Sequence, residues 1–337
     1  MFERVMKMAR ITMADVARKA GVSKSTVSQF INKRYEYMGE DTKKKIEAAI
    51  NDLGYQPNYL ARSLKQKRTS MIGIIVGNIM HRLSTEVSRS IEDYCHKHDI
   101  HAILCNADDD PEKERKYIEV LHAKQVDGLI IFPTGRNLDL YQKLIKENYP
   151  VVFMDRRVEG LKANYVLAAN EAAAAESIRH LLSGGHREIA IATQPLVISP
   201  RIDRLSGYKE ALREAGIPLK QEFMIHTERE QMKTELKKLF SLKNPPTALF
   251  AGNDLVFMET LEFFKDNQLK IGKDAALVVF DNIPLAHLAE TGVTTIDQPG
   301  YRMGQRAAEL LLKKINGEHV APAEEVFDCE LIVRESS

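Results

Sequence analysis

A chain of 337 residues, 44% hydrophobic and 28% charged, is long enough for two or three domains and has the composition of an ordinary soluble protein. Its three cysteines, Cys95, Cys105 and Cys329, are far apart and odd in number, which excludes a disulfide framework and a cysteine metal site and points to a reducing cytosol. No signal-peptide pattern opens the chain and no apolar run reaches membrane-spanning length, so no membrane partner is expected. The net charge of +1 conceals a segregation: residues 1–68 hold 15 Lys and Arg against 7 Asp and Glu, and the remainder 33 against 40. A head of +8 on a body of −7 points to a polyanionic partner for the head alone.

Residues 1–7 read as a frayed leader, with Met8 as a second possible start. Residues 11–32, ITMADVARKAGVSKSTVSQFIN, read as two short amphipathic helices around a glycine turn. Thr12 and Asp15 form a capping-box-like start, and Val16, Ala17 and Ala20 an apolar stripe. Gly21 can take the positive φ that the turn needs. Ser23 is an N-cap for the second helix, whose buried face continues through Val27, Phe30 and Ile31. Outward lie Lys24, Ser25, Thr26, Ser28, Gln29 and Asn32, hydrogen-bonders without an acid among them, a face suited to a DNA major groove. Taken alone, the same stretch also fits a helical hairpin in a core. A third helix over 39–53 stops at Gly54, and the chain breaks at Tyr55-Gln56-Pro57. Asn58 can cap a helix over 58–65, NYLARSLK, which is too short to stand alone in water.

From Met71 the pattern alternates. Strands are predicted over 72–76, 102–105, 128–132, 151–154, 189–193, 248–251, 276–280, 293–296 and 329–333, with a weak one near Met224. Helices are predicted over 84–98, 111–124, 138–147, 170–182, 203–215, 231–240, 255–267 and 301–315. This is the pattern of two doubly wound α/β units in succession, which bind ligands at their strand carboxyl ends and form a cleft where they face. Asp155, Asn253 and Asp281 stand at such ends. No phosphate loop, dinucleotide fingerprint, zinc-spaced cluster or nucleophile with its base appears, so no enzyme activity, catalytic residue, cofactor or metal is expected.

The segments TMADVARKAGVSKSTVS and EAAINDLGYQPNYLARSL, followed by two α/β units, closely resemble the lactose-repressor (LacI/GalR) family of bacterial transcription regulators from about Ala9 onward. The resemblance implies a cytoplasmic, nucleoid-associated homodimer. Its paired helix-turn-helix heads would bind a pseudo-palindromic double-stranded operator, and its core, like type I periplasmic binding proteins, would sense a small molecule. It divides the chain into a head over 9–57, a hinge helix and linker over 58–69, and a core over 70–337. Within that core the first subdomain takes about 70–166 and 298–327, and the second about 167–297 and 328–337.

Carried onto this sequence, the resemblance has Thr12 and Met13 approach the DNA from the first helix. Ser23, Lys24, Ser25, Thr26, Ser28 and Gln29 belong to the recognition helix, with Asn32 near a phosphate. Asn58, Ala61 and Leu64 belong to a hinge helix that folds only on the operator, Leu64 being wedged into the minor groove. The implied effector contacts are Asp155, Arg204, Asn253 and Asp281, with His81 and Arg82 standing where the family has Asn-Pro-Phe. Arg201 and Arg229, with Arg136, Arg156 and Arg157, are expected on loops near the cleft or its rim.

Arginine is the natural fork for carboxylate or phosphate, so the expected effector is an anionic sugar acid or sugar phosphate. The sequence looks like the ketodeoxygluconate regulators of Gram-positive bacteria, which makes 2-keto-3-deoxygluconate the specific expectation. The expected role is a repressor of a uronate operon released by that inducer. Without a terminal heptad segment, a dimer and not a tetramer is expected. Two alternatives share the core. A solute-binding protein for sugar transport would need an export signal and leave the basic head without purpose; a catabolite-control regulator would add a phosphoprotein partner.

Gln29 stands where the family usually has Arg, and Gln pairs with adenine N6 and N7. In-vitro binding-site selection is expected to return adenine at one base pair of each half-site; recovery of the usual guanine there would refute this.

Overall fold

The computed structural model describes residues 11–56, 68–284, 286–288 and 291–337. The expected leader and the hinge helix, with Asn58, Ala61 and Leu64, lie outside the described residues. Two compact units result, Met1–Thr69 and Ser70–Ser337.

The head unit contains α1 (Met13–Ala20), α2 (Lys24–Ile31) and α3 (Glu40–Leu53). The Thr12 backbone N–H and hydroxyl both donate to Asp15 Oδ2, at 2.9 and 2.7 Å, fixing the start of α1. Gly21 turns the chain at φ +67°, and Ser23 Oγ accepts from Thr26 N at 3.1 Å to open α2. Val16, Ala17, Ala20, Val27, Met38, Ile46, Ala49 and Tyr55 close a small core between the helices.

The core unit runs β1 (Met71–Val76), α4 (Arg82–His96), β2 (His101–Asn106), α5 (Pro111–Ala123), β3 (Gly128–Ile131), α6 (Leu138–Lys146), β4 (Val151–Met154), β5 (Tyr165–Ala168), α7 (Asn170–Ser183), β6 (Ile189–Thr193) and α8 (Ser199–Glu214). It continues through β7 (Met224–His226), α9 (Met232–Phe240), β8 (Ala248–Ala251), α10 (Asp254–Asp266), β9 (Ala276–Phe280), β10 (Thr294–Asp297), α11 (Gly300–Ile315), β11 (Glu324–Phe327) and β12 (Glu330–Ile332). One sheet has the order β11-β5-β4-β3-β1-β2 and the other β12-β10-β9-β8-β6-β7. Every pairing is parallel except β10 with β12. Apolar clusters cover both faces of each sheet: α4 and α11, then α5 and α6, on the first; α7 and α8, then α9 and α10, on the second. The expected two-unit α/β architecture with a helix-turn-helix head is therefore the observed one.

Two strands escaped the sequence reading. β5 and β11 are four residues each and pair with one another, Tyr165 opposite Glu324 through Ala168 opposite Phe327. Helix α8 also starts at Ser199, four residues before its expected start, with Pro200 in its first turn. That extra turn carries Arg201 onto the helix, three residues from Arg204 and so on the same face.

Each lobe contains one helix crossing that only glycine admits. A Cβ on Gly207 of α8 would collide with the Glu171 carbonyl oxygen of α7, and one on Gly304 of α11 would stand 2.6 Å from the Val87 carbonyl oxygen of α4. In the first lobe the fully buried Glu114 accepts from the Tyr141 hydroxyl and from Thr134 N at 3.0 Å, pinning the loop after β3. Burial pushes the Cys95 and Cys329 thiols up to about 12 and raises Cys105 as well. Among the described residues no helix is long and apolar enough to cross a membrane.

Gly207→Ala is expected to lower the stability of the core by about 1–3 kcal/mol through overpacking of backbone on backbone. Denaturant unfolding checks it; an unchanged midpoint would show that α7 and α8 separate freely.

Candidate functional site

The strand carboxyl ends of both lobes open onto one cleft of about 430 Å³, its solvent-open mouth included. It is lined from the first lobe by His81, Leu83, Ser84, Phe132, Asp155 and Arg156, and from the second by Ile198, Pro200, Arg201, Arg204, Asn253 and Asp281. Gln298, on the crossing from β10 to α11, completes it.

Asp155 and Arg156 follow β4 directly, and Asp155 sits at φ +67°, a left-handed conformation that a β-carbon resists. Its Oδ1 is buried without a hydrogen-bond partner, as are Arg156 Nε and Gln298 Oε1. The Arg156 guanidinium is 4% exposed and reaches Asp109 Oδ1 at 2.7 Å. Arg201 meets the other oxygen of the same carboxylate at 3.3 Å and donates to the Pro195 carbonyl at 3.1 Å. Burial drops the Arg201 pKa to about 10 in spite of Asp109. Burial also opposes ionisation of Asp109, yet Arg156 and Arg201 hold its carboxyl below the usual carboxylate range.

Arg204 is anchored on three sides. Its Nε donates to Asn170 Oδ1 at 2.8 Å, Nη1 donates to the Gly252 carbonyl at 2.7 Å, and the guanidinium lies 3.6 Å over the Phe280 ring. Asp281, after β9 and at φ +96°, accepts from Gln298 Nε2 at 2.5 Å and from Asp254 N at 3.3 Å. Burial first, then repulsion from Asp254, pushes Asp281 up to about 6 against the pull of Arg204. Asn253 has two tasks: its Oδ1 caps α10 through Val256 N at 2.8 Å, and its Nδ2 donates to Gln194 Oε1 at 2.9 Å. His81 Nδ1 lies 2.6 Å from Asp254 Oδ1, and Arg82 N donates to Asp254 Oδ2 at 2.8 Å, so α4 of one lobe meets α10 of the other.

Of the effector residues expected from sequence, His81, Asp155, Arg201, Arg204, Asn253 and Asp281 line the cleft together. Arg229 does not: it lies in the turn before α9 and binds Glu259 at 2.7 Å, which satisfies its charge elsewhere. The Arg82 side chain lies between Glu86 at 3.5 Å and Asp297 at 3.6 Å. Arg157 pairs with Asp203 at 2.5 Å, and Arg136 is exposed. Sequence reasoning missed Asp109, Phe132, Ser84 and Gln298. The one signal for Asp109 is the run Asp108-Asp109-Asp110 after a strand, more carboxylates than a helix cap needs; Asp110 alone caps α5, accepting from Glu112 N at 2.8 Å.

On the head, Thr12, Lys24, Ser25 and Gln29 are exposed, while Met13, Thr26, Ser28 and Asn32 are half-buried. Ser23 Oγ stands 2.6 Å from Ser25 Oγ and 2.8 Å from Thr26 Oγ1, and Asn32 Nδ2 donates to the Ser28 carbonyl at 2.7 Å. These short hydroxyls and amides form one polar face on α2, with Val27 turned into the core.

Two family models match the chain: bacterial regulatory proteins of the lacI family over residues 12–58, and a periplasmic binding protein-like domain over residues 178–337. The probable HTH-type transcriptional regulator EndR of Paenibacillus polymyxa is 46% identical over 90% of this chain and 91% of its own length. The HTH-type transcriptional regulator KdgR of Bacillus subtilis (strain 168) is 32% identical over 96% and 97%. Among solved structures, a complex of the transcriptional regulator CelR with cellobiose is 26% identical, with a TM-score of 0.73 over 97% of this chain and 100% of that one. The Lac repressor bound to ONPG has a TM-score of 0.85 at 24% identity, over 97% and 99%.

The raised pKa of Asp281 carries a sign. The folded chain holds this proton between the unfolded value of 3.8 and about 6, so stability from this group is lost as pH rises through that window. Asp281→Asn is expected to be more stable than the parent at pH 8, on the order of 1–3 kcal/mol, with the advantage vanishing below about pH 4. Melting curves across that range check it; a difference that does not change with pH would refute it.

Proposed function

This chain belongs to the lacI family of bacterial regulatory proteins and is a DNA-binding transcriptional regulator, and we propose that it represses a carbohydrate operon until an anionic sugar acid enters the core cleft. The observation that carries the effector reading is the convergence of three buried guanidiniums, Arg156, Arg201 and Arg204, on one cleft. That cleft also holds orphaned polar atoms on Asp155, Arg156 and Gln298. Buried polar atoms are normally satisfied, so a set of orphans facing one cavity marks where ligand atoms belong. A sugar acid supplies what is missing: a carboxylate for arginine, hydroxyls for Asp155, Asn253 and Asp281, and a carbon skeleton for Phe132. The similarity to KdgR and the resemblance to ketodeoxygluconate regulators support a uronate-derived keto acid such as 2-keto-3-deoxygluconate.

In this reading the chain acts as a cytoplasmic homodimer. Thr12, Met13, Ser23, Lys24, Ser25, Thr26, Ser28, Gln29 and Asn32 address each operator half-site, and Asn58, Ala61 and Leu64 its centre. The ligand acts only by binding one lobe arrangement better than the other, and that difference sets how far operator affinity falls.

Calorimetry on the full chain is expected to show binding of 2-keto-3-deoxygluconate or D-galacturonate and no binding of D-galactose. Arg204→Gln should weaken the acid at least about tenfold, in line with loss of a charge-assisted hydrogen bond, and raise by a similar factor the acid needed to release operator in a gel shift. Binding of neutral sugars and none of their acids would overturn the reading.

A further inference from the structure

We infer that Asp109 is a built-in stand-in for the effector's anionic group: its carboxylate occupies the two-arginine seat formed by Arg156 of the first lobe and Arg201 of the second. The inference rests on the anionic-effector reading and adds a residue that sets how strongly, and in which lobe arrangement, an acid binds.

Asp109 bridges the two guanidiniums. Its Oδ1 is 2.7 Å from Arg156 Nη2, an ion-pair contact that leaves this oxygen without a hydrogen bond, and its Oδ2 accepts from Arg201 Nη2 at 3.3 Å. The neighbouring acids do other work. Asp108 pairs with Lys113 and accepts from Asn106 Nδ2 at 2.6 Å, and Asp110 caps α5. Asp109 alone is turned to the arginines, and the turn is held with care. Asp108 and Asp109 both take left-handed backbone, at φ +54° and +56°, and Asp109 N donates to the Gly77 carbonyl at 2.7 Å. A Cβ on Gly77 would collide with Arg156 Nη2 and stand 2.6 Å from Asp109 Oδ1, so the pair lies on bare backbone. Arg156 and Arg201 are 4% and 6% exposed, and a buried guanidinium left without an anion is costly.

Two consequences follow from the seat being shared between lobes. Asp109 joins the lobes through Arg201 and sets one negative charge between the two arginines. An acid that enters must displace this carboxylate, which breaks the join at the moment the ligand is accepted. A neutral sugar makes no such exchange and leaves Asp109 in place.

Three full-length proteins test this: the parent, Asp109→Asn and Arg201→Gln, with circular dichroism confirming each fold and Asp109→Ser measured beside Asp109→Asn. D-galacturonate is titrated calorimetrically, and sulfate, the simplest oxyanion, by its effect on the melting temperature. Removing the internal competitor should tighten D-galacturonate about tenfold or more, and lower the sulfate concentration that gives half the melting shift by a similar factor. Arg201→Gln breaks the same ion pair but should weaken both. The opposite signs separate a ligand stand-in from a structural salt bridge, for which both variants would shift binding the same way. Equal affinities in the parent and the Asp109 variants, or a shared sign, overturn the inference. If no protein binds the acid but Asp109→Asn still responds to less sulfate than the parent, the effector reading falls and the two-arginine seat stands.

Discussion

The core is governed by the number of times its chain changes lobes. It leaves the first sheet after β5, returns between β10 and α11, and leaves again between β11 and β12. Three strands of backbone therefore join the lobes and tie them together. The antiparallel pairing of β12 follows from the same constraint. β11 runs parallel to its sheet and ends at the cleft, and with only Asp328 and Cys329 before β12 the chain enters the second sheet from the cleft side and runs antiparallel to β10. Gln298, on the second crossing, holds Asp281, so a side chain at the joint reports directly to the floor of the cleft.

Within that frame the cleft gathers a set of charges, all but Asp109 buried. Arg156, Arg201 and Arg204 face Asp109, Asp155, Asp254 and Asp281, and the environment sets each differently. Asp254 is buried, yet His81 and backbone donors at the starts of α4 and α10, Arg82 N and Leu255 N, keep it below the ordinary carboxylate range; Asp281, behind it, is driven up. The left-handed backbone at Asp155, Asp281 and Asp109 places three of these carboxylates where a relaxed strand end would not. Strain and desolvation together raise the energy of this arrangement of charges.

Much of this was legible in the residues. The head declared itself through Thr12 with Asp15, Gly21 and Ser23, where each local preference agreed with the next, and those contacts form. The alternating strands and helices followed from continuous apolar runs. The failures have physical reasons. β5, YVLA, follows β4 with no helix between them and so breaks the strand–helix alternation by which the others are read, and β11, EEVF, is an edge strand whose two glutamates resemble a loop. Arg229 was placed by proximity in sequence to cleft loops, while Glu259, thirty residues away, claims it in space. Asp109 could be read only as one acid of three, because its partners come from Arg156 and from the turn that α8 adds before Arg204.

The three cysteines bear on what the core is exposed to chemically. Oxidants and thiol-reactive metabolites attack the thiolate, and burial keeps Cys95, Cys105 and Cys329 protonated well above neutral pH. None has a cationic neighbour strong enough to reverse that; even Arg204, which favours the Cys329 thiolate, is outweighed by burial. Chemistry that modifies cysteines would thus pass this core by, so oxidising conditions should leave its fold and its cleft unchanged.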